Sequence, residues 1–401
     1  MDIPPITTDL PLLRIRDRAV LPIVQGGMGV GVSAHRLAGS VAAAGAVGTI
    51  SSVDLRRHHP DLMEETRHSR AKPLIDRANV TALDREVRAA LALAAGRGIV
   101  AVNVMRAVSE YASYVRTACE AGTQAIVVGA GLPLDLPDLV SNWPDVALIP
   151  ILSDSRGIAV LVRKWQRKAR LPDAIVIENP RLAAGHLGAA RIEDLDEPRF
   201  EFSRVLEETH SLFREMGIEG RIPLIVAGGI SSPAQVRELL ALGASGVQLG
   251  TAFAVTEECD AHPNFKEVLA RAKSEDIVTF MSVAGLPARA VKTPWLEKYL
   301  EKLPALQRRA KGRAQCTLAF DCLATCGLRD GMPKIGQFCI DHHLAAALAG
   351  DVERGLFFRG AGTLPFGESI RPVRDLIGYL LNGQPVPTQA PARALVHDRG
   401  M

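Results

Sequence analysis

Residues 222–254, IPLIVAGGISSPAQVRELLALGASGVQLGTAFA, decide the fold that this sequence predicts. The stretch opens with an apolar run, Ile222 to Ala227, whose lack of polar alternation is typical of a parallel strand buried on both faces. Ser232 stands at an N-cap position and Pro233 at the first helical position, so a helix is expected to begin there. Val247 to Leu249 is the next short apolar run. The stretch therefore predicts two parallel strands joined by a helix.

Each of these two strands ends in a glycine turn. Gly228 and Gly229 follow the first strand, and Gly250 and Thr251 follow the second. Bare backbone N–H groups beside a helix N-terminus bind dianions such as phosphate. In an eight-stranded β/α barrel, the loops after strands 7 and 8 form the usual phosphate site. We therefore expect a phosphate site here, with the phosphate occupying the space that a side chain at Gly229 would fill. The alternative is a βαβ unit with plain tight turns.

Six further apolar runs precede this stretch and alternate with helical patterns. These predicted strands are Val20 to Gln25, Val47 to Ile50, Ile99 to Val104, Ala125 to Val128, Val146 to Leu152 and Ala174 to Ile177. Strands that alternate with helices predict a parallel sheet, and eight of them favour closure. The predicted fold class is α/β, a (β/α)8 TIM barrel. An open dinucleotide-binding sheet is disfavoured, because no strand is followed by the full G-x-G-x-x-G fingerprint and its acidic partner about 20 positions on.

The chain is predicted to divide into a barrel and a smaller C-terminal part. The predicted parts are residues 1–254, the barrel; 255–368, a mainly helical lobe with clustered cysteines; 369–383, a helix returning to the barrel; and 384–401, a tail. Within the lobe, residues 264–310 are predicted as helices broken by Pro287, Pro294 and Pro304. Within the barrel, residues 54–97 form a long insertion after the second strand. Its histidines, His58, His59 and His68, are expected to be solvated.

Composition excludes several classes of partner. Of the 401 residues, 47% are hydrophobic and 23% charged, which is ordinary for a globular protein. A net charge of +3 gives no electrostatic reason to expect nucleic acid. No apolar run has the length of a membrane span, and the first residues lack the pattern of a secretory signal. A cytoplasmic enzyme acting on a small molecule is the expectation.

His186 is the strongest single candidate for chemistry. It lies in the small-residue loop directly after the sixth predicted strand. In barrels of this kind, the loops at the carboxyl ends of the strands build the active site. A histidine there can exchange a proton near neutral pH. The alternative is a loop histidine that only binds backbone.

Polar residues at other strand ends point to the same mouth. Asn103 ends the third strand and Ser153 the fifth, and either could bind a ligand or cap a neighbouring element. Gln25 and Gln248 lie within otherwise apolar strands, where an amide needs a partner. A heterocycle at the barrel mouth would supply that partner, and so would neighbouring backbone.

Four cysteines fall within 24 positions of the lobe. They are Cys316, Cys322, Cys326 and Cys339. Thiolates at this density could hold an iron–sulfur cluster or zinc, although the spacing matches no standard ligand run. Free cysteine is also a common small core residue. Both interpretations stay open.

Five motifs together resemble the nitronate monooxygenase family, formerly the 2-nitropropane dioxygenase family, which includes FMN-dependent enoyl-acyl-carrier-protein reductases. The motifs are Gln25-Gly-Gly-Met-Gly29, Ala183-Ala-Gly-His-Leu-Gly188, Ala227-Gly-Gly-Ile230, Gln248-Leu-Gly-Thr-Ala-Phe253 and Gly285-Leu-Pro-Ala-Arg289. The resemblance covers about residues 18 to 292. It implies a β/α barrel with non-covalently bound FMN.

The resemblance also implies roles for individual residues. The phosphate would lie on the two glycine turns, and Gly27 and Met28 would lie against the isoalloxazine. His186 would take the place of the catalytic histidine that transfers a proton beside the flavin. The remaining candidates for contact with the cofactor are Asn103, Ser153, Gly185 and Gln248. Leu182 and Ala184 stand where the family often has an acidic residue and a second glycine, and Ser153 replaces a common lysine.

Three functions are compatible with these features. The leading hypothesis is an FMN-dependent oxidoreductase that oxidises alkyl nitronates with O2. The second is an NAD(P)H-dependent flavin reductase that acts on an enoyl thioester or a quinone. The third is a barrel that binds a phosphate ligand without redox chemistry.

Overall fold

The computed structural model describes residues 5–311 and 322–384 of the chain. Its strands, in chain order, are β1 (Leu13–Ile15), β2 (Arg18–Val20), β3 (Ile23–Gln25), β4 (Val47–Ser51), β5 (Ile99–Met105), β6 (Ala125–Gly129), β7 (Ala147–Leu152), β8 (Ile175–Glu178), β9 (Gly185–His186), β10 (Leu224–Ala227), β11 (Gly246–Leu249), β12 (Ile277–Met281) and β13 (Pro287–Val291). Its α-helices are α1 (His35–Ala43), α2 (Pro60–Thr66), α3 (Lys72–Ala94), α4 (Tyr111–Glu120), α5 (Leu136–Leu139), α6 (Ser155–Gln166), α7 (Phe202–Glu215), α8 (Pro233–Ala241), α9 (Thr251–Ala254), α10 (Pro263–Arg271), α11 (Pro294–Arg309), α12 (Gly327–Asp330), α13 (Ile340–Leu348) and α14 (Val373–Asn382).

Eight parallel strands close into a barrel. Their order around it is β3, β4, β5, β6, β7, β8, β10 and β11, and β11 pairs back to β3. The predicted (β/α)8 TIM barrel is confirmed, and each predicted strand overlaps an observed one. The register places Ser51 opposite Asn103 and Ala227 opposite Glu178. Polar residues at the carboxyl ends of different strands therefore meet at one mouth.

The interior of the barrel is filled with small and branched apolar side chains. The barrel strands supply Val24, Val47, Ile99, Ala101, Ala125, Val127, Ala147, Ile149, Val176, Ile225 and Ala227. A short antiparallel hairpin, β1 and β2, adds Leu13, Ile15 and Val20 to the same cluster. Leu13 lies close to Gly246, where β11 begins. The hairpin thus closes the amino-terminal end of the barrel, which leaves the opposite mouth for a ligand.

The stretch that suggested the fold has the structure expected of it. The strand β10 pairs in parallel with β11, and α8 connects them. The hydroxyl oxygen of Ser232 accepts a hydrogen bond from the backbone N–H of Gln235 at 3.3 Å, so Ser232 is the N-cap. Val236 and Leu239 face the core.

The prediction of broken helices over residues 264–310 is wrong in part. Residues 277–281 and 287–291 form antiparallel strands, β12 and β13, and β13 also pairs with β9. Three consecutive β-formers, Ile277, Val278 and Thr279, favour a strand there. Pro304 does not break a helix, because α11 runs through it from Pro294 to Arg309.

The histidines of the insertion are not all solvated, which corrects a second expectation. The buried carboxylate of Glu86 on α3 contacts His59 Nε2 at 2.9 Å and His35 Nδ1 at 2.7 Å. His58 Nε2 lies 2.8 Å from the carbonyl oxygen of Gly31. Buried polar groups need partners, and these histidines supply them between α1, α3 and the loop after β3. His68 is exposed, as expected, and no ion pair with another described residue places it in this network.

The segments beyond the barrel pack against it from two sides. Strands β9, β12 and β13 form a small sheet, behind which Phe280, Tyr299 and Phe338 make a second apolar cluster. Helix α14 packs against α1, α8 and α9. In residues 5–311 and 322–384, no helix is long and apolar enough to cross a membrane.

Candidate active site

A cleft with two arms opens at the carboxyl ends of the barrel strands. The first arm, here called the apolar chamber, has a volume of about 240 Å³ and lies between His186, Asn103, Leu323, Leu344 and Phe358. The second, here called the glycine arm, has a volume of about 140 Å³. The arms share six lining residues: Gly27, Met28, Glu178, Ala184, Gly250 and Thr251. They therefore form one continuous site.

The glycine arm contains both glycine turns of the predicted phosphate site. Gly228 and Gly229 have φ angles of 114° and 71°, a region that favours glycine. Gly250 and Thr251 lie opposite them after β11. Among the described residues, no acceptor takes a hydrogen bond from the backbone N–H groups of Gly229, Gly250 or Thr251. The arm thus presents bare N–H donors, the arrangement that an anion requires.

The C-terminal segment forms a third wall of this arm, which sequence reasoning missed. Gly360, Gly362 and Thr363 line it. The approach to the barrel is close, because a Cβ on Gly362 would lie 3.1 Å from the Cα of Gly229. Gly360 N–H donates to Thr251 Oγ1 at 3.1 Å. The alternating glycines of Arg359-Gly-Ala-Gly-Thr363 are the signal in the sequence, but such a pattern is equally typical of a plain turn-rich link.

A buried arginine supports this third wall. The guanidinium of Arg359 donates to the carbonyl oxygens of Leu269 at 2.8 Å, Gly360 at 2.9 Å and Gly362 at 3.3 Å. Burial lowers the pKa of Arg359, and no carboxylate pairs with it among the described residues. An arginine without a counter-ion beside the glycine arm adds positive potential there.

A side chain at Gly229 would clash with the protein itself, whereas the sequence predicted that it would occupy the space of the phosphate. A Cβ built on Gly229 would lie 2.9 Å from Leu182 Cδ1. The positive φ of Gly229 adds backbone strain for any other residue. A Cβ on Gly250 would make only ordinary contacts, the nearest being Met28 Sδ at 3.7 Å. Gly250 is therefore the better position at which to fill the arm.

The loop after the first barrel strand packs tightly on the third. A Cβ on Gly27 would lie 2.4 Å from the Cβ of Asn103, so only glycine fits there. Asn103 lines the apolar chamber and Gln248 the glycine arm. The side chain of Gln248 makes no hydrogen bond to the described residues, whereas that of Gln25 binds the backbone N–H and C=O of Thr49 at 2.8 and 3.0 Å. Of the two buried amides, only Gln248 is left with unused hydrogen-bonding capacity.

His186 lies in the wall of the apolar chamber at the end of β9. Its strand pairs with β13, where Ala288 is opposite His186 and Arg289 is opposite Gly185. The motifs at residues 183–188 and 285–289, which are distant in sequence, thus lie side by side in one sheet. Arg289 Nη1 donates to the carbonyl oxygen of Ala183 at 2.7 Å and holds the loop before His186. Gly185, at φ 63°, lines the chamber beside it.

The environment of His186 keeps its imidazole neutral. Burial lowers the pKa of His186 to about 4. Its Nε2 lies 2.7 Å from the hydroxyl oxygen of the buried Ser282. The other ring nitrogen, Nδ1, has no partner among the described residues. The ring is therefore oriented through one nitrogen while the other remains able to exchange a proton.

Glu178 is a second titratable group in the cleft, and no motif in the sequence marks it. It ends β8 and lines both arms where they meet. Burial raises the pKa of its carboxyl to about 7, and no described residue forms a hydrogen bond or an ion pair with it. A carboxylate at the end of the apolar run Ile175–Glu178 was the signal in the sequence. One cleft thus holds a histidine and a carboxyl whose pKa values are displaced in opposite directions.

One predicted contact residue lies elsewhere, whereas Leu182, which departs from the family pattern, lines the glycine arm. Ser153 does not line either arm, because it packs on the histidine loop: a Cβ on Gly188 would lie 1.8 Å from its hydroxyl oxygen. Leu182, at the position where the family often has an acidic residue, packs on Gly228 and Gly229.

The cysteines of the lobe do not form a metal site within the part of the chain that the structure describes. Over residues 5–311 and 322–384, no three His, Cys, Asp or Glu side chains converge as ligands. Cys322 and Cys326 pack against the apolar cluster of the lobe, and Cys322 also lines the apolar chamber. Cys316 lies outside the described residues. The neighbouring His343 stacks on Trp295 with ring centroids 3.8 Å apart.

Fold and site together define an enzyme-like β/α barrel with an arm of backbone N–H donors unpaired among the described residues and a half-buried histidine. Comparison with known proteins gives the family. The family model described as "Nitronate monooxygenase" matches residues 15–383, so the chain belongs to the nitronate monooxygenase family.

Individual relatives agree with this assignment. A probable nitronate monooxygenase from Staphylococcus saprophyticus is 31% identical over 158 residues, which are 36% of this chain and 43% of that protein. The match thus spans less than half the length of that relative. Among solved structures, FabK from Thermotoga maritima has a TM-score of 0.59 at 21% identity, covering 90% of this chain and 89% of its own. A nitroalkane oxidase from Streptomyces ansochromogenes has a TM-score of 0.57 at 19% identity, covering 90% and 93%. At these identities the solved structures establish the fold alone.

Proposed function

We propose that this protein is an FMN-dependent oxidoreductase that oxidises alkyl nitronates with O2, with His186 as its acid–base residue. One observation carries the proposal: a neutral, oriented histidine lies in the same continuous cleft as an arm of bare backbone N–H donors. The family of the chain supports the reaction type.

The residues of the cleft fit FMN. Gly228, Gly229, Gly250 and Thr251 would hold the phosphate through backbone N–H groups. The unpartnered amide of Gln248 and the side chain of Asn103 would serve the polar edge of the ring system. Gly27 and Met28 line both arms, so they would lie along the isoalloxazine. When bound, FMN would supply the two-electron chemistry that side chains lack.

The side chains supply proton handling and positioning. His186 is neutral at physiological pH because its pKa is about 4. In the tautomer whose Nε2–H donates to Ser282, its Nδ1 can accept a proton. Ser282 fixes the ring through Nε2. A neutral nitroalkane must lose its α-proton, whereas a nitronate has already lost it. His186 therefore matters most for the neutral form.

The NAD(P)H-dependent alternative rests on the same scaffold. The chamber of about 240 Å³ supports this alternative, because it offers space for an acyl chain. In that case the reductant would be NADH or NADPH, and the acceptor an enoyl thioester or a quinone.

Anaerobic mixing separates these functions. The purified protein should be yellow, and a colourless protein that does not take up FMN would leave only a phosphate-binding barrel. Under nitrogen, a nitronate should bleach the visible absorption of the protein within the time of one turnover. If only NADH or NADPH bleaches it, the reductase is the correct function and the proposal is wrong.

A further inference from the structure

The apolar chamber has two chemically different walls. The polar residues that line it include Ser51, Asn103 and Glu178 on barrel strands and His186 on β9. The opposite wall comes from residues 322–358 and is formed largely by Leu323, Ile340, Leu344, Leu356 and Phe358. The apolar wall begins beside His186, whose ring centroid lies 5.9 Å from that of Phe358, so the polar and apolar walls of the chamber meet at this histidine.

The one carboxylate on the apolar wall does not change this character. Asp341 is 2% exposed, and its Oδ2 accepts from Arg57 Nη2 at 2.9 Å. Arg57 is also paired with Asp54. Arg56 also pairs with Asp54, at 2.8 Å, so two arginines balance the two carboxylates. Little of Asp341 is available to a ligand, although its buried Oδ1 has no hydrogen-bond partner among the described residues.

Backbone hydrogen bonds fix the apolar wall to the barrel. Ala324 N–H donates to the carbonyl oxygen of Ala107 at 2.8 Å, and Ser109 N–H donates to that of Cys322 at 3.2 Å. Leu323 and Val108 form an antiparallel bridge between these bonds. Behind the wall, Leu356 N–H donates to the carbonyl oxygen of His343 at 2.9 Å. A preformed apolar wall does not have to be ordered at the moment of binding, so contact with it raises affinity.

We infer that the apolar chamber binds the tail of an elongated substrate, an unbranched alkyl or phenylalkyl group whose single polar head reacts beside His186. This inference rests on the proposed function for the identity of the head group, and on the chamber alone for the tail. The short nitronates that would satisfy the chemistry are not the substrates that this chamber fits best.

The test is a chain-length series of primary nitronates, from nitroethane to 1-nitrooctane, on the FMN-loaded protein. Each methylene that enters the chamber should raise kcat/KM about 4-fold, the fold-change that corresponds to ~0.8 kcal/mol per buried CH2. The dissociation constants of the neutral nitroalkanes, measured by calorimetry without turnover, should fall by the same factor, with a negative heat-capacity change.

Leu344 offers a variant on the apolar wall. It is half-buried and lines the chamber, so Leu344→Phe should reduce the chain length at which kcat/KM stops rising, and Leu344→Ala should extend it. Leu242→Phe is the matched control, because Leu242 is 43% exposed and does not line the chamber. If Leu344→Phe does not fold, Leu344→Ala still tests the direction.

The two proposals fail separately. If no nitronate of any length is oxidised but nitroalkane affinity still rises with chain length, the proposed reaction is wrong and the tail site stands. If both kcat/KM and affinity are flat along the series, or if the Leu344 variants leave the chain-length dependence unchanged, the tail site is refuted.

Discussion

Two half-buried groups in the cleft should oppose each other in the pH dependence of stability. Glu178, whose pKa is raised to about 7, binds a proton more tightly in the folded than in the unfolded protein. Its contribution to stability is therefore full at low pH and is lost as the pH rises from about 4.5 through 7. His186, whose pKa is lowered to about 4, behaves in the opposite way: stability falls as the pH drops from about 6.5 through 4.

The two effects have similar size and overlap in pH. The pKa of Glu178 moves from 4.5 to about 7 and that of His186 from 6.5 to about 4. At about 1.4 kcal/mol per pKa unit, each displacement corresponds to about 3 kcal/mol of unfolding free energy over its window. In the wild-type protein the two largely cancel between pH 4.5 and 6.5. Each single variant should expose the other slope.

Urea unfolding of the flavin-free protein between pH 4.5 and 7.5 measures these slopes. Relative to the wild type, Glu178→Gln should gain stability with rising pH, and His186→Asn should lose stability with rising pH. The double variant should return to the wild-type slope. Parallel pH curves for the wild type and both single variants would show that neither group is displaced, and the electrostatic description of the cleft would then be wrong.

Three further results are expected. His186→Asn should retain FMN and lose about 10²-fold or more in the turnover of neutral nitroalkanes, which is the usual scale of acid–base catalysis. Turnover of preformed nitronates should be largely unchanged, and wild-type rates on both forms would refute the assignment. Gly250→Val should bind FMN at least about 10-fold more weakly, because overpacking typically costs about 1–3 kcal/mol. Gly250→Ala is the tolerated control, and equal FMN affinity of the two variants would place the phosphate elsewhere. Elemental analysis of anaerobically purified protein should give iron and zinc well below one per chain, because Cys322 and Cys326 pack in an apolar cluster; stoichiometric metal would contradict this.

The barrel was predictable because its signals are local. Each strand is an apolar run bounded by glycine or polar residues, and closure follows from their number. The strands β12 and β13 were missed because three prolines dominated the pattern, although Ile277 to Thr279 favour a strand. The packing of α14 against α1, α8 and α9 depends on contacts that no local pattern encodes.

The site, like the fold, could be predicted from the sequence only where its signals are local. The glycine turns and His186 follow strand ends, so position in the sequence identified them. Glu178 has no neighbouring motif, and its displaced pKa arises from burial, which is a property of the tertiary structure. Ser282 and Thr363 reach the cleft region from distant segments. Thr363, for example, forms a hydrogen bond with Ser231, which lies 132 positions earlier in the chain.

That last pairing bears on how the protein is made. The ribosome releases the chain from its amino end, and every barrel strand is complete by Leu249. The glycine arm gains its third wall only when residues 360–363 have emerged. If FMN binds as proposed, we expect the barrel to be assembled well before it can retain FMN, so that FMN loading would report on nearly full-length synthesis. A chain truncated before Gly360 would then contain all eight barrel strands and yet remain colourless.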